Sequence, residues 1–317
     1  MTAAVTVVVP TLGRPSLHEL LGALAGAPVE ILVVDDRPDA REPLPVDAKV
    51  LTGRGAGPAA ARNIGWRAAG TEWVAFLDDD VLPDPDWVTR LIADLETAPA
   101  HVGGVQGNLR VPLPAGRAAT DWERVTAALA DGDWLTADMA YRRAALDATG
   151  GFDERLPRAF REDAEIAHRV RQAGWELRRG DRVVTHPVRP ESRWVSLRTQ
   201  RGNADDALLR RMYGRDWRET LGIPPGRRAR HMTVTAAGIL ALAAALTGRR
   251  TAAALLGAAW LAGTAEFAVA RIQPGPKDRH EITTMLATSA LIPPAATAHW
   301  LRGWITRRGE RPLAVRR

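Results

Sequence analysis

The first two hundred residues alternate short, continuously apolar runs with stretches whose apolar residues recur at helical spacing. Residues 5–9 are almost wholly apolar and stop at Pro10, the pattern of a strand buried on both faces. Ser16 then stands as a plausible N-cap before apolar positions at helical spacing over 17–24. Residues 31–34 form a second buried run, ending in Asp35-Asp36. A glycine-rich approach, Gly53-Arg-Gly-Ala-Gly57, leads into a predicted helix over 58–69. The third strand, 73–77, ends in Asp78-Asp79-Asp80, and Asp84 or Asp86 caps a helix running to about Leu95. This β-α-β-α-β order predicts a mostly parallel sheet with helices on its faces. Ligands of such sheets gather beyond the carboxyl ends of the strands, where three polar clusters stand here.

Farther along, 103–109 reads as a strand, and 143–148 and 161–173 as helices, the latter closed by Gly174. Residues 193–211 read as one basic amphipathic helix of the interfacial kind, with Trp194, Val195, Leu197, Ala204, Leu208 and Leu209 on its apolar side. Gly222-Ile-Pro-Pro-Gly226 breaks the pattern, which divides the chain into a domain over 1–220 and a helical tail over 221–317. In that tail, 232–247 and 251–270 are alanine- and leucine-rich and flank Gly248-Arg249-Arg250. A third apolar stretch, 282–301, contains Pro293-Pro294. The first run is short against the ~20 residues a bilayer-spanning helix needs, and the second carries Glu266, costly inside lipid. Arg227, Arg228 and Arg230 precede the pair and Arg271, Lys277 and Arg279 follow it. That flanking predicts a hairpin held at the cytoplasmic face of the membrane, with Arg249 and Arg250 as the awkward residues at its far turn. A soluble helical appendage is the alternative.

Composition narrows the classes. With 46% hydrophobic and 25% charged residues among 317, the chain is neither disordered nor collagen-like. The absence of cysteine excludes disulfides, thiolate metal sites and a cysteine nucleophile. No basic segment precedes the first strand, so a secretory signal peptide is not expected. The net charge of +6 is uneven: residues 201–317 hold 19 basic and 8 acidic residues, while the first 200 are net acidic. The basic residues flank apolar helices and do not line a groove, which argues against nucleic acid as a partner.

The candidate chemistry centres on Phe76-Leu-Asp-Asp-Asp80. Magnesium or manganese takes one or two such carboxylates plus substrate phosphates, and Asp78 and Asp80, two apart at a strand end, can approach one metal and one hydroxyl. Asp36 can accept hydrogen bonds from a base or ribose. No full dinucleotide or P-loop glycine pattern is present in the right context. Seven segments in order then stand out: Val5-Thr-Val-Val-Val-Pro-Thr-Leu-Gly-Arg14, Ile31-Leu-Val-Val-Asp-Asp36, Gly57-Pro-Ala-Ala-Ala-Arg-Asn-Ile-Gly65, Phe76 to Asp80, Met139-Ala-Tyr-Arg-Arg143, Gly150-Gly-Phe-Asp-Glu154 and Arg161-Glu-Asp-Ala-Glu165. Together they resemble glycosyltransferase family 2 over about residues 4–215.

The resemblance implies a GT-A fold of the α/β class, a nucleotide-sugar donor and an Mn2+ or Mg2+ cofactor. It implies nucleotide contacts from Pro10, Thr11, Arg14 and Asp36, with Arg62 and Asn63 beside them. Asp78 and Asp80 match the positions that hold ribose, metal and diphosphate. Glu162-Asp163 matches the catalytic acidic pair: Asp163 is the expected base of an inverting transfer, and Glu162 orients the acceptor. Asp153 is expected to shape the acceptor pocket, and His186 to be a third metal ligand or a phosphate contact. Two departures stand out. Asp138 replaces the asparagine common in the family, with Tyr141 as the following aromatic, and the Q-x-x-R-W motif of processive synthases is absent. Asp138 is therefore a candidate modifier of acceptor or donor preference, and transfer of a single sugar is favoured. Trp134 is a candidate acceptor contact among the 11 tryptophans. The expected activity is metal-dependent transfer to a lipid-linked or cell-envelope glycan hydroxyl. The rivals are a nucleotide-sugar binding protein without catalysis and, less favoured, a sugar nucleotidyltransferase.

Overall fold

The structure is a computed structural model that describes residues 4–315. These form two compact units. One runs to Pro112, takes up Ala127–Val188 and ends with the residues from Pro312; the other comprises Leu113–Thr126 and Arg189–Arg311. The sequence-based boundary at 220 thus falls inside the second unit.

The first unit is built on β1 (Val5–Thr11), β2 (Glu30–Asp35), β3 (Lys49–Thr52), β4 (Trp73–Leu77), β5 (Leu82–Pro83), β6 (Val102–Arg110), β7 (Asp138–Arg142) and β8 (Glu176–Thr185). These make one sheet in the order β3-β2-β1-β4-β7-β6-β8-β5. The pairs among β3, β2, β1 and β4 are parallel, as is β6 with β8; β7 runs antiparallel to both β4 and β6. It is the expected GT-A type of α/β architecture, with a sheet more mixed beyond β4 than the opening pattern implied.

Alternation along β1 accounts for both layers. Val5, Val7 and Val9 enter a core with Leu17 and Leu20 of α1 (Ser16–Ala23) and Trp87, Leu91 and Leu95 of α3 (Trp87–Glu96). Val8 enters the opposite core with α2 (Pro58–Ala68), α5 (Arg143–Thr149) and α6 (Glu162–Gln172). A Cβ on Gly65 of α2 would come within 2.2 Å of Val8 Cγ1, so the bare glycine lets α2 lie close against β1. The chain leaves β1 toward β2 and β3, then returns to the other side of β1 as β4. That reversal opens a crevice at the carboxyl ends of β1 and β4.

The second unit is helical, with α4 (Asp121–Ala127), α7 (Val195–Arg198), α8 (Asn203–Tyr213), α9 (Trp217–Thr220), α10 (Arg228–Leu246), α11 (Arg250–Ile272) and α12 (Arg279–Thr306). The single amphipathic helix expected over 193–211 is instead α7, a 3₁₀ turn at Thr199–Gly202, and α8. Its apolar residues Val195, Leu208 and Leu209 are buried, and α8 packs along α12, whose Gly303 sits against the Ala204 backbone. They are core, not a lipid-facing stripe. Helix α12 continues through Pro293-Pro294, which withdraw two backbone donors from its ladder. Helices α10 and α11 are each long and apolar enough to cross a membrane. Glu266 stands at the foot of this pair, ion-paired to Arg227 and 3.4 Å from Arg230, so its charge is matched.

Candidate functional site

The aspartates after β4 split by side. Asp79 turns toward β1, where it accepts a hydrogen bond from Thr11 Oγ1 at 2.6 Å and an ion pair from Arg14 at 2.5 Å. Thr11 and Arg14, expected on the nucleotide, therefore engage the middle aspartate, Asp79, to which the sequence motifs assign no role. Pro10 lies buried in β1 beside them.

Asp78 meets α2. Arg62 is only 1% exposed; its Nη2 donates to Asp78 Oδ1 at 2.7 Å and its Nη1 to Glu162 Oε1 at 2.9 Å. One guanidinium thus ties the first strand-end aspartate to the first residue of the acidic pair. Burial opposes the Arg62 charge, but Asp78 and Glu162 more than offset it, and its pKa is held above the ordinary arginine value. Among the described residues its Nε and the Glu162 Oε2 are buried without a hydrogen-bond partner.

Glu162 and Asp163 open α6 directly after Arg161, which holds a left-handed backbone at φ 77°. Burial, then the neighbouring Asp163, pushes the Glu162 pKa up to about 8, against the pull of Arg62. Burial also raises Asp163, against the Ala164 N–H and the charges of Arg62 and Arg161. Two adjacent acids in one poorly hydrated place do not both ionise readily, and burial raises both. Asp163 is the more open of the two, with Oδ1 accepting from Ala164 N at 2.8 Å.

Several expected contacts are turned inward. Both Asp36 oxygens accept backbone N–H groups, Oδ1 from Arg54, Gly55 and Ala56 at 3.1, 2.9 and 3.4 Å, and Oδ2 from Gly57 at 2.8 Å. Asp36 therefore shapes the glycine-rich loop, whose donors are occupied. A Cβ on Gly57 would lie 2.1 Å from the Pro157 carbonyl oxygen, which closes the start of α2 from the other side. Asn63 binds Phe152 N and O, Trp66 Nε1 and Glu154, stapling the Gly-Gly-Phe-Asp-Glu turn to α2. Asp153 is buried against Arg155 at 2.6 Å. Asp138 is fully buried, its oxygens taken by Trp87 Nε1 at 2.8 Å and Arg182 Nε at 2.7 Å. Burial raises its pKa in spite of Arg182. The added carboxylate has a structural partner in place of substrate. Tyr141 presents a buried hydroxyl without a partner, whose pKa is raised by burial and by the charge of Asp163. Trp134, half-buried, has a left-handed backbone at φ 65° and donates its N–H to Gln106.

Asp80 Oδ1 lies 3.8 Å from His186 Nε2, both side chains being mostly buried. Among the described residues no group of three or more acidic or histidine side chains stands close enough to hold a metal alone. An oxygen and an imidazole donor facing one another fit a Mn2+- or Mg2+-type ion that completes its shell with substrate phosphate.

Residues 6–122 match the family model described as Glycosyl transferase family 2. Pre-mycofactocin glycosyltransferases from two strains of Mycobacterium tuberculosis are 30% identical over 225 residues, covering 63% of this chain and 46% of theirs. The chain therefore spans about half the length of the curated relatives it matches. Among solved structures, Mycobacterium tuberculosis glucosyl-3-phosphoglycerate synthase in complex with Mn2+, UDP-glucose and phosphoglyceric acid is 19% identical. Its TM-score is 0.46, with 71% of this chain and 81% of that one covered. Over residues 6–122, then, the chain is similar to glycosyl transferase family 2, and the seven motifs in order are in line with that match.

Proposed function

We propose that this chain is a metal-dependent, inverting glycosyltransferase that moves one sugar from a nucleoside-diphosphate donor to a hydroxyl acceptor. The observation that carries the reading is the Arg62 bridge, which draws a donor-side carboxylate, Asp78, and the acidic pair at Glu162 to one buried cation. Asp163 takes the acceptor proton as the acceptor oxygen attacks the anomeric carbon from the face opposite the leaving group. The bond from that carbon to the diphosphate oxygen breaks, and the configuration inverts. Burial raises Glu162 to about 8 and raises Asp163 as well, and Asp163, the more open of the two, is the member assigned as base. Asp80 and His186 would hold the divalent cation, which as a Lewis acid stabilises charge on the departing diphosphate. Asp78 is assigned to the donor. The hairpin of α10 and α11 supports a place at the cytoplasmic membrane face, and with it a lipid-linked or cell-envelope glycan acceptor.

The test is a panel of UDP-, GDP-, dTDP- and ADP-sugars with Mn2+ or Mg2+, offered with membrane extract and with pre-mycofactocin as acceptors. Metal-dependent release of the nucleoside diphosphate from one donor, lost in Asp163→Asn, is expected. Tight donor binding without turnover under any acceptor would favour a binding protein, and neither binding nor release from folded protein would overturn the donor assignment.

A further inference from the structure

Arg228 opens α10 at the root of the apolar hairpin. It is half-buried and has no ion pair or hydrogen bond among the described residues. Its guanidinium lies over the ring of Trp300, 5.0 Å from the centroid. Trp300 is itself 8% exposed, and its indole N–H is a buried donor without an acceptor among the described residues. The charges that act on Arg228 are Arg210, which repels it, and Asp206, which is already bound by Arg218 at 2.5 Å. Beside this pair Trp304 stacks on Trp300 at 5.2 Å and carries Arg211 over its outer face at 3.7 Å.

Packing two arginines near one acid that Arg218 already binds leaves positive charge in excess, and a buried N–H without an acceptor adds to the cost. The first turn of α10 contributes further unmatched N–H groups and the positive end of its dipole. From this surplus of donors α10 runs on into an apolar stretch, where Ile239, Leu240, Leu242 and Leu246 are all more than half exposed. Arginine recognises phosphate in a fork, and aromatic rings stacked with arginine suit a membrane boundary.

We infer that Arg228, Arg210 and Trp300 form a binding site for the phosphate group of an anionic membrane lipid, separate from the nucleotide crevice. The site rests on the membrane reading of the hairpin. It would anchor the root of α10 by a defined headgroup contact, beyond the general attraction of a basic collar. The shared chemistry is a phosphate ester, and the apolar helices around the site favour a lipid over a soluble phosphate as its source.

The full chain is tested for flotation with phosphatidylcholine vesicles with and without phosphatidylglycerol, and separately with inorganic phosphate as competitor. Wild type is expected to bind both vesicles, and the anionic ones more tightly. Arg228→Gln should weaken binding to the anionic vesicles by about fivefold or more and leave binding to neutral ones unchanged. Arg228→Lys keeps the charge but loses the planar fork, and should show most of the same loss. Arg230→Gln, two residues on and exposed, reports the general electrostatic effect. Equal losses in Arg228→Gln and Arg230→Gln, or full function in Arg228→Lys, would reduce the site to a basic collar and overturn the inference. No binding to either vesicle would instead strike the membrane reading itself. Displacement by millimolar-range inorganic phosphate, lost in Arg228→Gln while vesicle preference persists, would assign the site to a soluble anion and overturn the lipid as its source.

Discussion

Arg62 and Arg182 are both fully buried arginines of the first unit, each held between two carboxylates. Arg182 uses all its nitrogens: Nε on Asp138, Nη1 on Asp94 and Nη2 on the Val105 carbonyl at 2.7 Å. Both its acids are closed to solvent, with side-chain exposures of 0% and 8%. Arg62 leaves Nε unmatched, its partner Glu162 leaves Oε2 unmatched, and its other partner Asp78 is 29% open. Similar parts therefore give a closed brace in one place and an incomplete, one-sided network in the other. What separates structure from chemistry here is the unmet hydrogen-bonding capacity and the one open partner, since burial and charge are alike.

The largest expected effect on chemistry is at the open end. Asp163→Asn should lower turnover by about 10²–10⁴-fold, while thermal melting holds or rises because a neutral isostere replaces an acid that burial disfavours. A melting point that falls together with the rate would make Asp163 part of the scaffold. The largest effect on stability belongs to the closed brace. Arg182→Met should cost about 3–5 kcal/mol in urea unfolding, since it strands two buried acids. Arg62→Met should cost less, because Asp78 reaches solvent and Glu162 can keep its proton, yet abolish donor turnover. If the two variants unfold alike and Arg62→Met still turns over, the contrast between the networks is lost.

Chelation should remove turnover, and Mn2+ or Mg2+ should restore it; His186→Ala should then need about tenfold more metal for half-maximal rate. An unchanged metal requirement would exclude His186 from the ion. The smallest effect is the pH dependence of folding. A Glu162 pKa raised from 4.5 to about 8 means that the folded state holds a proton which the unfolded state has released. This contribution is complete below about pH 4.5 and is lost as pH rises toward 8. Glu123, lowered to about 2 chiefly by its hydrogen bonds to Arg117, titrates below that window and leaves it clear. Glu162→Gln should flatten the decline in urea midpoint between pH 5 and 8, and an equal slope in both proteins would place that proton elsewhere.

Much of the first unit was legible in sequence because its signals are local. The apolar run of β1, the strand-ending aspartates and the glycine before α2 each act within a few residues, and the order of elements then implies the crevice. The ordered motifs further pointed to the acidic pair. Partner choice was not legible, since it joins distant segments: Arg62 and Glu162 are 100 residues apart, and Asp138 and Arg182 are 44 apart. Asp138 looked like a change of specificity because its compensating arginine lies on another strand. The helix expected over 193–211 failed for a different reason. The same apolar spacing serves a helix packed on α12 as well as one lying on lipid, and the 3₁₀ turn has no strong sequence mark.

The Asp36 carboxylate occupies the N–H groups of residues 54–57 much as a bound anion would. The protein thus carries its own permanent occupant in the loop that most resembles a phosphate cradle. Under the proposed function, a donor diphosphate would find that seat taken and would draw its countercharge from elsewhere in the crevice. Cutting the side chain back to alanine would turn the occupant into a vacancy, one that added acetate or formate could fill. Chemical rescue of that variant would then read out how far the loop's shape depends on a negative charge and how far on the covalent link that delivers it.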